Sequence, residues 1–336
     1  MFQLSDLVRP IIVAPMAGGV STPVLVAAAA DAGAMGFLAA GYTSVDALVG
    51  QIAATRGLGA DLFGVNVFVP APEPVDLAAA RAYRDLLAGL AERYEVRLPE
   101  PRQDDDGWAA KIEALLDERV PVVSFAFGCP PAEVVRRFRG VGTATLATVT
   151  SALEAAQAAA AGVAGLVVQG PDGGGHRATF DALAEPGTTP LDEIVVGVRG
   201  VTGLPVVVAG GIAGASDVGS WLARAQGVQL GTAFLDADEA GTSPAYRAAL
   251  HDPRFTETVL TRAFSGRWAR GLRNAFVDTF TAAAPAAYPA VNQVTGVLRR
   301  AAGRAGDAEN LSLWAGTGWR ATRPGRVAAV VDSLPA

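Results

Sequence analysis

Eight short apolar runs, rich in β-branched residues, recur along this chain at 11–16, 35–39, 63–69, 122–127, 145–149, 166–169, 205–209 and 228–234, with helical patterns between them. A strand buried on both faces reads as a near-continuous apolar run, and parallel neighbours need a long crossover, usually a helix. The alternation therefore predicts an α/β fold built on a parallel sheet. The punctuation agrees: Ala32-Gly33, Ala161-Gly162 and Gln226-Gly227 each precede a strand, where a left-handed glycine closes the helix before it. Ser21-Thr22-Pro23 and Ser243-Pro244 each offer an N-cap followed by proline, and Ser151-Ala152-Leu153-Glu154 reads as a capping box. Eight strands with no sign of a switch point favour closure into a (β/α)8 TIM barrel over residues 1–238, rather than a doubly wound open sheet.

Two segments exceed the bare barrel. Residues 70–121 carry helical patterns at 75–94 and 108–118 around a linker rich in proline and aspartate, and read as a helical insertion after strand three. Residues 239–309 read as a largely helical lid or substrate subdomain, and residues 310–336 as a C-terminal return to the barrel.

Composition narrows the partners. A net charge of −6 with no long basic run argues against a nucleic-acid surface. Cys129 is the only cysteine, so no disulfide forms within the chain and a cysteine-based zinc site is implausible; no metal ligands are assigned. The start, Met1-Phe2-Gln3-Leu4-Ser5-Asp6, lacks the basic and apolar segments of a secretory signal, and no run approaches the ~20 apolar residues of a membrane span. These features predict a cytoplasmic protein without membrane contact, and leave monomer and homodimer both open.

The strongest local signal is Gly165-Leu166-Val167-Val168-Gln169-Gly170-Pro171-Asp172-Gly173-Gly174-Gly175-His176, a buried strand running into a glycine-rich loop that ends in one of two histidines. Glycine admits close backbone approach, and histidine is the side chain whose ordinary pKa lets it exchange a proton near neutrality. A capped core histidine is the structural alternative. The position after a strand's C-terminal end, where α/β barrels place their chemistry, favours function. The loops after strands seven and eight contain Gly210-Gly211 and Gly231-Thr232, at the positions where such barrels hold phosphate on backbone amides and helix N-termini. The sole lysine, Lys111, is far away in sequence, so the Thr232 hydroxyl and helix dipoles would supplement those amides. No G-x-G-x-x-G stands in a dinucleotide-binding context, which suits a mononucleotide.

Ala14-Pro15-Met16-Ala17-Gly18-Gly19 puts a thioether and flexible backbone at the barrel mouth, where Met16 lines either a flat ring or plain core. Asn66 and Gln169, polar residues within strands, need partners from a ligand or from neighbouring backbone. Cys129 at a strand end is either a neighbour of the bound ligand or a small buried hydrophobe. His251 is assigned no chemistry. Tyr246, Arg262, Arg267 and Arg270 form either an anion pocket or a solvated, internally paired face.

Together these residues resemble the nitronate monooxygenase family, formerly 2-nitropropane dioxygenases, among the FMN-dependent TIM barrels. The resemblance runs from Pro10-Ile11-Ile12-Val13-Ala14-Pro15-Met16-Ala17-Gly18-Gly19 through Gly64-Val65-Asn66-Val67-Phe68, Gly173-Gly174-Gly175-His176, Ala209-Gly210-Gly211-Ile212 and Gln229-Leu230-Gly231-Thr232 to Asn310-Leu311-Ser312-Leu313-Trp314-Ala315-Gly316. It implies FMN, its ring near Met16 and Asn66 with Gln169, Gly174 and Gly175 beside it, and its phosphate at Gly210-Gly211 and Gly231-Thr232. Ala14, Ala17, Gly18 and Gln229 complete the implied cofactor contacts, and His176 is the implied base. Asp172, Gly173 and Ala178 stand where the family commonly has glutamate, alanine and glycine. The implied activity is oxidation of alkyl nitronates, or of nitroalkanes, by oxygen to carbonyl compounds and nitrite. The alternatives on the same barrel are an NADH:quinone reductase using NAD(P)H and quinone, a flavin-dependent enoyl-acyl-carrier-protein reductase, and a non-catalytic flavin-binding barrel.

Overall fold

The computed structural model describes residues 4–71 and 74–335. Its strands are β1 (Ile11–Val13), β2 (Met35–Ala39), β3 (Gly64–Phe68), β4 (Val122–Ala126), β5 (Ala144–Val149), β6 (Gly165–Gln169), β7 (Gly175–His176), β8 (Val206–Ala209), β9 (Gly227–Leu230), β10 (Thr258–Thr261) and β11 (Ala269–Leu272). All but β7, β10 and β11 pair in parallel and in chain order, and β1 meets β9 through Ile12↔Gln229, which closes the barrel. This α/β barrel is the expected one, with two trimmed strands. Beyond Val13 only the Ala14 amide stays on the ladder, at 2.9 Å from the Leu230 carbonyl, and the Met16 amide turns to the Ser21 hydroxyl at 2.9 Å. Residues 232–234 form a 3₁₀ turn instead of extending β9.

The helices are α1 (Pro23–Asp31), α2 (Val45–Gly57), α3 (Leu77–Leu86), α4 (Ala88–Arg93), α5 (Trp108–Asp117), α6 (Ala132–Gly140), α7 (Ala152–Ala161), α8 (Leu191–Val201), α9 (Ala215–Leu222), α10 (Pro244–His251), α11 (Ala275–Phe280), α12 (Ala290–Arg304) and α13 (Val327–Asp332). Thr22 caps α1 with a 2.9 Å bond from the Leu25 amide, and Ser243 caps α10. Ser151 caps α7, but Glu154 does not complete the reciprocal box: its carboxylate accepts from the Thr150 amide at 2.6 Å and the Phe180 amide at 2.7 Å. Glu154 thereby ties the start of α7 to the chain that follows His176. Gly33 and Gly162 take left-handed φ of +78° and +87° after α1 and α7. Gly227 does not; it opens β9, where a β-carbon would stand 3.2 Å from the Pro10 carbonyl. The helix expected over 75–94 is split at Leu87 into α3 and α4.

Alternation along the strands separates two surfaces. Ile11, Val13, Leu166, Val168, Val206, Val208 and Val228 face the helices in one apolar cluster. Ile12, Met35, Phe37, Val122, Leu146, Val167 and Val207 fill the barrel, with Leu4 and Leu7 packed against them. On the same inward phase, polar residues appear only towards the strands' C-terminal ends, at Asn66, Ser124, Thr148, Gln169 and Gln229. The plug is apolar at one end and hydrogen-bonding at the other, and the polar end is where a ligand meets partners.

Residues 239–309 are not helical throughout. β10 and β11 form an antiparallel hairpin that adds β7, so that Ala269 faces His176 and Arg270 faces Gly175 in register. Among the described residues no helix is long and apolar enough to cross a membrane.

Candidate functional site

A cavity of about 1480 Å³ opens at the C-terminal ends of the barrel strands. Ligand pockets ordinarily span about 300–1,000 Å³, so this one has room for a cofactor and a second molecule. Its wall draws on chain-distant stretches: Ala14, Met16, Ala17 and Gly18 after β1, Asn66 in β3, and Gln169, Gly174, Gly175 and His176 around β6 and β7. Gly210, Gly211, Gln229, Gly231 and Thr232 complete it from β8 and β9. His176 and every residue implied as a cofactor contact thus border one space. Cys129, Arg262 and Arg270 do not border it.

His176 is held from two sides. Its backbone lies in β7 against Ala269, and its carbonyl accepts a 3.0 Å bond from the Gln169 side-chain amide. Gln169 also accepts from the Ala178 amide at 3.0 Å, so that both ends of this side chain clamp the histidine loop. The imidazole Nε2 lies 2.9 Å from the Ser265 hydroxyl, whose own proton goes to the Arg267 carbonyl at 3.0 Å. With that proton spent, the hydrogen-bond network makes Nε2–H the donor to Ser265 and leaves Nδ1 with the free lone pair. Phe127, Tyr288 and Trp314 stand around the ring, with centroids 5.5, 5.9 and 5.5 Å away. Burial, aided by the charges of Arg267 and Arg299, pushes the imidazole from its ordinary 6.5 down to about 3, so it is neutral under working conditions.

The two arginines set the field. The Arg267 Nε donates to the Arg177 carbonyl at 3.2 Å, Nη2 donates to the Thr179 carbonyl, and the guanidinium stacks 4.2 Å from the Phe127 centroid. Arg299 Nη2 is bound by the Asn292 side chain at 2.6 Å, while its buried Nε lacks a partner. Among the described residues neither guanidinium has a carboxylate within ion-pair distance, and both border the cavity. Burial lowers both pKa values, Arg267 to about 10.

The remaining arginines considered from the sequence are internally bonded. Arg270 Nε donates to the Pro171 carbonyl at 3.1 Å, and Arg262 Nε to the Ala284 carbonyl at 2.9 Å. Tyr246 borders the cavity but gives its hydroxyl proton to the Trp314 carbonyl. His251 pairs with Asp236 at 2.7 Å, outside the cavity lining.

The glycine loops pack on one another. A β-carbon on Gly174 would lie 2.5 Å from the Gly316 amide nitrogen, one on Gly316 would lie 2.8 Å from the Asp172 carbonyl, and one on Gly210 would lie 3.0 Å from Gly170 and Gly173. Part of the glycine content therefore serves contact between backbones. Gly210 and Gly211 take φ of +100° and +78°, and Thr232 Oγ1 accepts from the Gly316 amide at 3.0 Å, which leaves the threonine proton free. Ile212 and Ala213, which lead into α9, and the first residues of the 3₁₀ turn after Gly231 border the same rim. A phosphate suits it, since it offers N–H and O–H donors from two loops. At the barrel centre Asn66 gives its amide hydrogens to Ser124 at 2.9 Å and 3.2 Å, and among the described residues its carbonyl oxygen has no protein partner.

Sequence reading missed Tyr42, Phe127, Tyr288 and Arg299. None sits in a motif; they meet through the closure of the barrel and the approach of α12.

A family model described as Nitronate monooxygenase matches residues 2–336. A probable nitronate monooxygenase of Staphylococcus aureus (strain Newman) is 34% identical over 329 residues, covering 94% of this chain and 90% of that protein. The solved nitroalkane oxidase from Streptomyces ansochromogenes superposes with a TM-score of 0.93 at 46% identity, over 98% of this chain and 96% of that one. FabK from Thermotoga maritima gives 0.76 at 25% identity, over 98% and 93%.

Proposed function

The chain belongs to the nitronate monooxygenase family and is a flavin oxidoreductase acting on nitro compounds, and from that premise we propose FMN-dependent oxidation of alkyl nitronates, and of the parent nitroalkanes, by oxygen to carbonyl compounds and nitrite. The observation that carries this reading is His176: a neutral imidazole whose Nε2 is tied to Ser265 and whose Nδ1 has no partner among the described residues, beside a cavity with two guanidinium groups that have no carboxylate partners among those residues.

FMN fits the cavity. Gly210, Gly211, Gly231 and Thr232 would hold its phosphate, and Met16, Asn66, Gly174 and Gly175 its ring, with Ala14, Ala17, Gly18 and Gln229 along the same wall. When bound, it supplies the two-electron acceptor that the substrate carbon needs and the route by which oxygen is used. Gln169 acts through the loop it clamps.

With a nitroalkane, His176 Nδ1 takes the α-proton; the C–H electron pair becomes the C=N bond of the nitronate, and the negative charge settles on the nitro oxygens. The charges of Arg267 and Arg299 favour that anion, because no carboxylate competes for them. A preformed nitronate enters as the anion and needs no base. Phe127, Tyr288 and Trp314 pack around the imidazole and contribute to the desolvation that favours its uncharged form.

Anaerobic addition of ethylnitronate to the FMN-loaded protein is expected to bleach the flavin, and in air the same substrate is expected to consume oxygen and release nitrite. A flavin unmoved by nitronate overturns the proposal. His176→Asn is expected to keep FMN and lose about 100-fold or more of kcat/KM on neutral nitroethane, while retaining most activity on ethylnitronate. Unchanged turnover of nitroethane removes the base assignment.

A further inference from the structure

Lys111 is the sole lysine beside 26 arginines, a count taken from 27 basic residues in all. It is 1% exposed at the edge of the cavity. Its ammonium donates to the Ala40 carbonyl at 2.8 Å and stands 2.7 Å from the Asp106 carboxylate. The other oxygen of Asp106 accepts from the Tyr42 amide at 3.0 Å. Tyr42 has a left-handed φ of +66°, which for a bulky residue requires outside support. Lys111 and Asp106 provide it, joining α5 and the turn that precedes it to the turn after β2.

The side chain held in this way points along the cavity wall. The Tyr42 hydroxyl accepts from the Tyr288 hydroxyl at 3.2 Å, and Tyr288 is the ring 5.9 Å from His176. An acceptor from Tyr288 keeps its own proton for another group, and among the described residues no protein acceptor takes it. A phenol ordinarily titrates at about 10, so that proton stays on near neutral pH.

We propose that Tyr42 is a substrate-binding donor, giving its hydroxyl hydrogen bond to the nitro or nitronate oxygens, and that Lys111 is a positioning residue acting through Asp106. This rests on the nitronate reading above and adds the group that orients the substrate's oxygens relative to His176. An ammonium suits the position better than the guanidinium used elsewhere, because it is a compact charge whose donors point to two acceptors in a closed space.

The test is oxygen uptake with ethylnitronate by the FMN-loaded wild type, Tyr42→Phe, Lys111→Met and the double variant. Tyr42→Phe is expected to raise KM about tenfold, the scale of a lost hydrogen bond to a charged group, with kcat within about twofold. Lys111→Met is expected to raise KM comparably, and the double variant no further than Tyr42→Phe alone, since residues acting in one chain of contacts are not additive. A purely structural lysine would lower Tm and multiply its effect onto that of Tyr42→Phe. If Lys111→Met does not fold, Tyr42→Phe decides alone, because it removes one oxygen and leaves the latch intact. An unchanged KM in Tyr42→Phe, or multiplying effects in the double variant, overturns the inference with the nitronate reading intact. No oxygen uptake by the wild type overturns that reading, and this inference with it.

Discussion

A general base is usually sought by a pKa near neutrality, yet His176, the proposed base, is pushed from 6.5 to about 3 by burial and by the nearby guanidinium charges. The sign has a consequence for rate. A lowered pKa keeps the imidazole in its basic form as the pH falls, so kcat/KM for neutral nitroethane is expected to stay flat between pH 7 and pH 5. An unperturbed histidine would lose about 30-fold at pH 5, which is 1.5 units below its midpoint. A stopped-flow or oxygen-electrode profile separates the two, and an acid limb centred near 6.5 removes the buried-base description. His176 was legible in the sequence because the chemistry and its glycine loop are contiguous. The surroundings of Gln169 were legible only as a choice, and the structure supplies two backbone partners, the His176 carbonyl for its Nε2 and the Ala178 amide for its Oε1, while the side chain also borders the cavity. Tyr42 was invisible: nothing beside it signals a left-handed turn, and its support comes from Asp106, 64 positions away.

At the scale of elements, the strands were readable because both faces of a barrel strand are buried, leaving apolar runs that a sequence cannot disguise. The β7–β11–β10 sheet was not, because a two-residue strand has no period and its partner hairpin lies within a segment whose helical patterns dominate. That sheet fixes the histidine's backbone. The glycine loops carry a second lesson, since their composition suggested room for a ligand whereas Gly174 is small because the 315–316 backbone presses on it. Gly174→Ala forces a β-carbon against main chain, which cannot swing aside, so it is expected to cost about 1–3 kcal/mol and to lower Tm by several degrees. It is also expected to weaken flavin retention, because the displaced 315–316 segment orients Thr232 through the Gly316 amide. Thermal melting and the absorbance ratio of bound flavin to protein check both; a Gly174→Ala protein with wild-type Tm and full flavin would mean that the loops slide past one another freely.

Across the whole molecule, the cavity draws on stretches far apart in sequence, among them the turn after β1, the loop into β7, the two loops after β8 and β9, and the 312–318 return. A ligand touching all of them stabilises the native state by its binding free energy, about 2.7 kcal/mol at 100 times its Kd. The proposed phosphate cradle at Gly210, Gly211, Gly231 and Thr232 contains no lysine or arginine, so its grip would consist of oriented amides and one hydroxyl. Riboflavin offers the same ring without the phosphate, which makes it the discriminating probe. Added to flavin-stripped protein at equal free concentration, FMN is expected to raise Tm by several degrees and riboflavin by clearly less. The FMN shift is expected to shrink towards the riboflavin shift in Thr232→Ala. Equal shifts for the two flavins in the wild type would place the recognition in the ring alone, and the glycine loops after β8 and β9 would then be packing devices like Gly174.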